Sequence, residues 1–452
     1  MPTRILLIGG GGREHALAWK LATEPGINRV IAAPGSEAIA TEPRVHRAAA
    51  VDASDGAALV ALARREAAEL AVIGPEAPLA AGVADALRAA GVPTFGPSRA
   101  ATRIESSKAF CREVAGAAGV PMARGAAFSA LEPALEAAAG LATRGGIVVK
   151  ADGLASGKGV TVCEDLAEAE AALRDIFAEP RADDAHPTTG SPRVIVEERL
   201  VGREASLIAL CDGRDAVALP AARDHKRLLD GDRGPNTGGM GAYSPLQDIP
   251  DGLARQVVET VHYPLLAELA RRGTPFTGAL YAGLMLTDDG PVLLECNARF
   301  GDPETQVILP RLLLPLGPLL LAAARGRLAS ALGALGIADR LLPASSSATV
   351  GVVLAGRRYP TVAAQGDAIA GLAEATSLGG LVFHAGTRRA AAGGYETNGG
   401  RVLTVVGRGP DMASARAAAE RAADAISFAG AQRRRDIAAD LPAAVVPERV
   451  PA

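Results

Sequence analysis

The chain has 452 residues, 49% of them apolar and 21% charged, with a formal net charge of −3. That length exceeds a single compact core and predicts about two to four domains. The near-balanced charge removes any electrostatic case for nucleic acid or an anionic membrane as partner, so an anion site must be built locally.

The N-terminus runs straight into a strand with no long apolar region before it, which predicts no secretory signal. Four cysteines, Cys111, Cys163, Cys211 and Cys296, lie far apart with no CxxC pair. That speaks against a zinc ribbon or a disulfide framework and fits a reducing cytosol, hence a cytoplasmic protein. Arg4 to Ile8 is a strand that ends in Gly9–Gly12, and a helix follows from Arg13 to Leu21. Strand, glycine turn and helix start form an anion site. A dinucleotide fold needs a third glycine where His15 or Glu14 stands, and an acid where the second strand instead ends in Pro34-Gly35. Arg13 inside the turn suits a single phosphate ester. A further strand, Leu70 to Ile73, ends in Gly74-Pro75-Glu76, and such carboxyl-end loops form the ligand crevice of an open α/β sheet.

Ser106-Ser107-Lys108 opens a helix. Ile147 to Val162 reads as a hairpin whose loop, Asp152 to Gly159, is glycine-rich. It fails the Walker A pattern at both ends, since Asp152 leads and Gly159 follows Lys158. It still suits a flap whose amides approach polyphosphate closely, with Lys150 adding a point charge. Residues 179–192 read as a loop. Val194 to Leu200 is a strand ending in Glu197 and Glu198, with Glu204 just beyond. Asp224-His225-Lys226-Arg227 follows. Gly234 to Pro245 reads as a loop with enough glycine for backbone to approach a ligand. Ala254 to Arg271 is helical, and Phe276 to Leu286 is a strand.

The next strand, Val292 to Leu294, leads into Glu295-Cys296-Asn297-Ala298-Arg299. Alternation along a strand puts Glu295, Asn297 and Arg299 on one face. A carboxylate, an amide oxygen and a guanidinium suit a site where a hard divalent cation meets phosphate. Leu312 to Ala323 is apolar but short and interrupted, so it reads as buried core and not as a membrane span. Beyond about Leu332 the glycine loops stop. Ala348 to Leu354 and Arg401 to Val406 are expected strands, Ala413 to Ala425 a helix, His384–Thr387 and Asn398–Gly400 turns, and the last residues a tail.

These motifs together resemble the phosphoribosylamine–glycine ligase family (glycinamide ribonucleotide synthetases) of the ATP-grasp superfamily, over roughly residues 3 to 440. The resemblance rests on Gly10 to Ala16, Gly74 to Leu79, Ser107 to Phe110, Lys150 to Ala155, Gly157 to Val160, Asp224 to Arg227, Gly234 to Ser244 and Asn297 to Glu304. It implies an α/β and α+β multidomain fold. Residues 1–103 would form a Rossmann-like pre-ATP-grasp domain. Residues 104–328 would form a two-part ATP-grasp domain with a flap subdomain at about 121–192. Residues 329–440 would form a small C-terminal α/β domain, with 441–452 a tail.

The resemblance also implies ATP-dependent ligation of glycine to 5-phosphoribosylamine through glycyl phosphate, in purine biosynthesis, with Mg²⁺ or Mn²⁺. The partners would be small molecules alone, and the protein a monomer. Arg299, Asp224 and Lys226 would stand nearest the chemistry. ATP would meet Lys108, Lys150, Ser156, Gly157, Lys158, Gly159, Glu197, Glu198, Leu200 and Glu204. Glu295 and Asn297 would hold the metal. Gly10, Gly11, Gly12, Arg13, Glu14, Gly74, Pro75 and Glu76 would hold phosphoribosylamine. Asn236, Gly238, Gly239 and Gly241 would line the glycine side. Three positions depart from the family's pattern: Ser36 after Pro34-Gly35 in place of asparagine, Arg199 in place of an aromatic, and Met285 where other ATP-grasp enzymes carry a further metal-binding glutamate. The competing readings are another ATP-grasp carboxylate–amine ligase, a nicotinamide-dependent oxidoreductase, and a nucleotide-binding module without turnover.

Overall fold

A computed structural model describes residues 1–143, 146–153, 159–178 and 193–439. The expected flap tip with Ser156, Gly157 and Lys158, the whole expected 179–192 loop, and the tail at 441–452 lie outside the described residues.

The first sheet is parallel, built from β1 (Arg4–Gly9), β2 (Arg29–Pro34), β3 (Val45–Arg47), β4 (Leu70–Ile73) and β5 (Thr94–Phe95) in the order β3-β2-β1-β4-β5. Its strands are near-continuous apolar runs because both faces are covered; Ile5, Leu6, Leu7 and Ile8 are all buried. The strand order reverses between β1 and β4. The loops Gly9–Arg13 and Gly74–Glu76 therefore share one crevice at the carboxyl ends of neighbouring strands.

The helix Lys108–Ala117 leads to a second, antiparallel sheet. It comprises β6 (Gly125–Phe128), β7 (Ile147–Ala151), β8 (Val160–Cys163) and β9 (Val194–Glu198) in the order β6-β9-β7-β8. Two helices, Leu131–Ala142 and Leu166–Ala178, pack on one face of it through Ala134, Ala138, Ala169 and Leu173. The hairpin of β7 and β8 was legible as two β-branched runs around glycine.

Next come β10 (Arg203–Asp212), β11 (Ala216–Ala218), β12 (Arg223–Asp224), a small hairpin of β13 (Arg227–Leu229) and β14 (Arg233–Asn236), and β15 (Gly241–Ser244). The expected helix spans Asp251 to Arg271, with a π turn at Val258–His262. Then β16 (Thr277–Thr287) and β17 (Gly290–Asn297) form a hairpin, and the third sheet has the order β11-β10-β16-β17. Glu204 lies inside β10, paired with Met285, and not in a loop past a strand end. The apolar stretch after Leu312 forms the buried helix Leu316–Ala324 against the first sheet. Among the described residues no helix is long and apolar enough to cross a membrane.

The last third carries β18 (Ala348–Ala355), β19 (Ala364–Ile369), β20 (Leu381–His384), β21 (Thr387–Arg389), β22 (Tyr395–Gly399) and β23 (Arg401–Gly409), with the helix Met412–Ala425. The fourth sheet has the order β12-β15-β18-β23-β20. This corrects two expectations. The segment from Gly234 to Pro245 is not one loop, because β15 pairs with β18 across more than a hundred residues. His384 and Asn398–Gly399 belong to strands and not to turns.

Candidate active site

The second and third sheets face each other across a cavity of about 1030 Å³, large enough for a nucleotide and small substrates. β17 forms one wall. Its pairing with β16 passes from Gly283–Glu295 to Leu284–Leu293, which leaves Leu294 as an extra residue. Such a bulge turns two successive side chains to one side. Leu293 is buried away from the cleft, whereas Leu294, Glu295, Cys296, Asn297 and Arg299 line it, Cys296 with only 3% exposure. The strict alternation expected from sequence is not kept: Leu294 and Cys296 line the cleft beside Glu295 and Asn297, and Arg299 lies past the end of β17.

Lys150 is the penultimate residue of β7, opposite this wall. Its ammonium donates to the Leu294 carbonyl at 3.1 Å and pairs with Glu197 at 2.5 Å. The other Glu197 oxygen meets Arg112 at 3.1 Å. Lys108 opens its helix because the Ser107 hydroxyl caps the Phe110 amide at 3.1 Å and itself donates to Asp152 at 3.1 Å. That places the Lys108 ammonium 2.8 Å from the Gly153 carbonyl, at the root of the hairpin loop. Gly159, Glu198 and Leu200 also line the cleft. The Glu198 carboxylate accepts from the Arg124 amide at 2.8 Å. Arg199 lines the cleft as well, and its guanidinium pairs with Glu164 at 2.7 Å.

Lys226 pairs closely with Glu204, and its ammonium lies 3.8 Å from Asp224. Both residues of the expected Asp224–Lys226 pair are therefore at the cleft, but Glu204 is tied to Lys226. Burial pushes the Glu295 carboxyl up, yet Lys226, Lys150, Lys108 and Arg299 together hold it below the usual range. Burial raises Asp224 against the pull of Lys226. An ionised carboxylate ringed by four cations is arranged to hold a cation–polyphosphate pair, since each sign then meets its opposite. Among the described residues no group of three or more His, Cys, Asp or Glu could hold a metal ion. Glu295 and Asn297 offer two oxygens on one face, which fits Mg²⁺ taking its remaining ligands from phosphate and water.

Arg299 and Arg13 link this wall to the first sheet. Arg299 lies 3.1 Å from Glu105 and 3.4 Å from Glu76. Arg13 lies 3.5 Å from the same Glu76 oxygen and donates to the Phe300 carbonyl at 3.1 Å. Of the residues expected in the first domain, Arg13 and Glu76 line the cleft, whereas Gly10, Gly11, Gly12, Glu14, Gly74 and Pro75 do not. Glu14 is buried, and its carboxylate accepts from the Gly11 amide at 2.7 Å and from Arg13 at 2.6 Å. A Cβ on Gly74 would run into that carboxylate, and one on Gly10 would lie 2.8 Å from the Gly35 carbonyl. The glycine at these positions is required by the seating of Glu14 and of the neighbouring turn. Of the departures, Ser36 caps the Ile39 amide at 3.2 Å, and Met285 lines the cleft.

Asn236 and Gly238 line the cleft; Gly239 and Gly241 do not. Gly239 has φ +109°, and a Cβ there would lie 2.6 Å from Pro303. Gly241 sits in β15, where a Cβ would lie 2.6 Å from the Gly351 carbonyl. Its bareness is a packing requirement, which corrects the expectation of a ligand approach.

Several cleft residues were not foreseen. Glu105 accepts from the Ala298 amide at 2.8 Å and orients Arg299. Glu304 lines the cleft and accepts from the Tyr281 hydroxyl at 2.9 Å. Burial and the nearby Asp224 push its carboxyl up to about 7. Tyr359, Arg401 and Arg434 reach the cleft from the last third. Glu105 adjoins the Ser106-Ser107-Lys108 signal, and Glu304 closes the Asn297–Glu304 motif, so both had a local cue. The last three had none.

Comparisons with known proteins agree along the chain. Three family models match: the phosphoribosylglycinamide synthetase N domain over residues 3–105, its ATP-grasp (A) domain over 106–305 and its C domain over 349–440. A phosphoribosylamine–glycine ligase of Streptomyces coelicolor is 48% identical over 96% of this chain and 99% of its own. One from Caulobacter vibrioides is 45% identical over 96% and 97%. The crystal structure of a phosphoribosylamine–glycine ligase from Thermotoga maritima superposes with a TM-score of 0.78 at 33% identity, covering 96% of this chain and 100% of that one. A biotin carboxylase domain from Hydrogenobacter thermophilus, 15% identical with a TM-score of 0.68 over 96% and 92%, shares the fold.

Proposed function

Because the chain belongs to the phosphoribosylglycinamide synthetase family, we propose that its cleft joins glycine to 5-phosphoribosylamine with ATP as the driving reactant. The products are N1-(5-phosphoribosyl)glycinamide, ADP and phosphate, a step of purine biosynthesis. The observation that carries this reading is the end-to-end match, on both sides of the alignment, with proteins named for that ligation.

A carboxylate oxygen is a poor leaving group. Transfer of the terminal phosphoryl group of ATP to the glycine carboxylate gives glycyl phosphate. The amine of phosphoribosylamine then attacks the acyl carbon, the C–N bond forms, phosphate departs, and the amine releases a proton. Catalysis of such transfer is mostly alignment and charge neutralisation. Lys108 and Lys150 bind the nucleotide phosphates. Glu197 to Leu200 edge the base. Arg299, held by Glu105 and Glu76, steadies the carboxylate and the phosphoryl group moving to it. Glu295 and Asn297 would hold a magnesium or manganese ion, which supplies charge neutralisation on the phosphate oxygens. Asp224 and Asn236–Gly238 bound the glycine side. Arg13 and Glu76 bound the phosphoribosylamine side. Both activated species are labile in water, so a cleft that excludes water also protects them.

This reading takes 1–103, 104–328 and 329–440 as the domains. It extends to a cytoplasmic monomer that meets small molecules alone. Purified protein should release phosphate from ATP when glycine and phosphoribosylamine are both supplied, and lose that release when either is omitted. Equal release with an unrelated carboxylate would remove the substrate assignment and favour another ATP-grasp ligase.

A further inference from the structure

We propose that Arg401 and Tyr359, both from the last third of the chain, are positioning residues that clamp two walls of the substrate end of the cleft. Arg401 begins β23 and lines the cleft. One guanidinium nitrogen donates to the Gly238 carbonyl and, at 2.6 Å, to the Asp302 carbonyl. The other lies 3.4 Å from the Asp302 carboxylate. Tyr359 accepts from the Gly238 amide at 2.8 Å. Both backbone groups of Gly238 are thus held by side chains more than a hundred residues away.

The two clamped segments come from different parts of the cleft. Gly238 follows Asn236 and Thr237 on the glycine side. Asp302 faces Arg13 on the other side, and its carboxylate is also held by Gln306 at 2.7 Å. A planar guanidinium with several donors in a fixed fork can bridge a carbonyl pair and a carboxylate at once, which an ammonium cannot reproduce. Space at the contact is tight. A Cβ on Gly238 would lie 3.3 Å from both the Arg401 guanidinium carbon and the Tyr359 oxygen, and one on Gly239 would lie 2.6 Å from Pro303. The clamp therefore sets the separation of the two walls, and neither side chain needs to take part in the chemistry. Lys108 and Lys150 belong to the other wall, so the nucleotide end is independent of it.

The inference rests on the ligase reading above, and the test separates the two. Steady-state kinetics of Arg401→Met should show KM for glycine or for phosphoribosylamine rising about tenfold or more, with KM for ATP within about twofold of wild type. Arg401→Lys should recover only part of that loss. Tyr359→Phe, which keeps the ring packed on Gly400, should raise the same KM values by a smaller factor. Unchanged KM for both substrates in Arg401→Met and Tyr359→Phe, or an equal rise for ATP, would overturn the clamp. Full recovery by Arg401→Lys would overturn the bridging role. An inactive wild-type enzyme with these substrates would instead remove the ligase reading. If Arg401→Met does not fold, Tyr359→Phe alone decides, because it removes one hydroxyl.

Discussion

Glu304 shows how far one carboxyl in this cleft departs from water-like behaviour. It is buried, bonded to Tyr281, and lifted to about 7 by burial and by Asp224, against the pull of Arg299. A folded value above the unfolded one means the native state binds the proton more tightly. The stabilisation is complete below the unfolded value and is lost as pH rises through about 7. Glu304→Gln keeps an acceptor for Tyr281 and removes the titration. Wild-type thermal stability should fall between about pH 5 and about pH 8 by up to about 3 kcal/mol from this group, and the variant should lack that part of the fall. An identical pH dependence of unfolding in the two proteins would show that Glu304 does not titrate in this window. At this scale the sequence was readable where a local period sufficed. Glu295 and Asn297 share a face of β17 as strand alternation predicts, while Arg299 lies two residues past the end of that strand. Glu105 adjoins the Ser107 cap in sequence, but its work is done on the Ala298 amide, 193 positions away, which that cue does not reveal.

Elements built from local preference were the ones visible in advance. β1 and β4 are β-branched and leucine runs that end in glycine or proline turns, and the Ser107 cap announces the helix beginning at Lys108. Elements that exist only because a distant strand accepts them were not visible. β15 is four residues of Gly-Ala-Tyr-Ser, weak in strand preference, held between β12 and β18. Its glycine, read in sequence as ligand-facing, meets Gly351 and Ile437 instead. Gly241→Ala should therefore cost about 1–3 kcal/mol of stability by overpacking and leave KM for every substrate unchanged in the folded fraction. A raised KM for glycine at wild-type stability would return Gly241 to the site. Likewise β20 and β22 were read as turns at His384 and Asn398. A glycine or histidine marks a turn only when no long-range partner overrides it.

The whole molecule is organised so that no single domain owns the cleft. Lys108 comes from the helix Lys108–Ala117, Lys150 and Glu295 from the second and third sheets, Arg13 and Glu76 from helix starts that follow β1 and β4, and Arg401 and Tyr359 from the last third. β12 and β15 tie the middle of the chain into the last sheet, so that sheet and the cleft wall are continuous structure. The contribution of the final third is made by side chains reaching across from distant strands and turns, which no local sequence pattern announces. The central claim is that a metal-bound triphosphate lies between β17 and the two lysines. A crystal structure of the protein with a non-hydrolysable ATP analogue and Mg²⁺ tests it most directly. The account predicts phosphate oxygens on Lys108 and Lys150 and the metal on Glu295 and Asn297. A triphosphate seated on Gly10–Arg13, with β17 bare of metal, would contradict it.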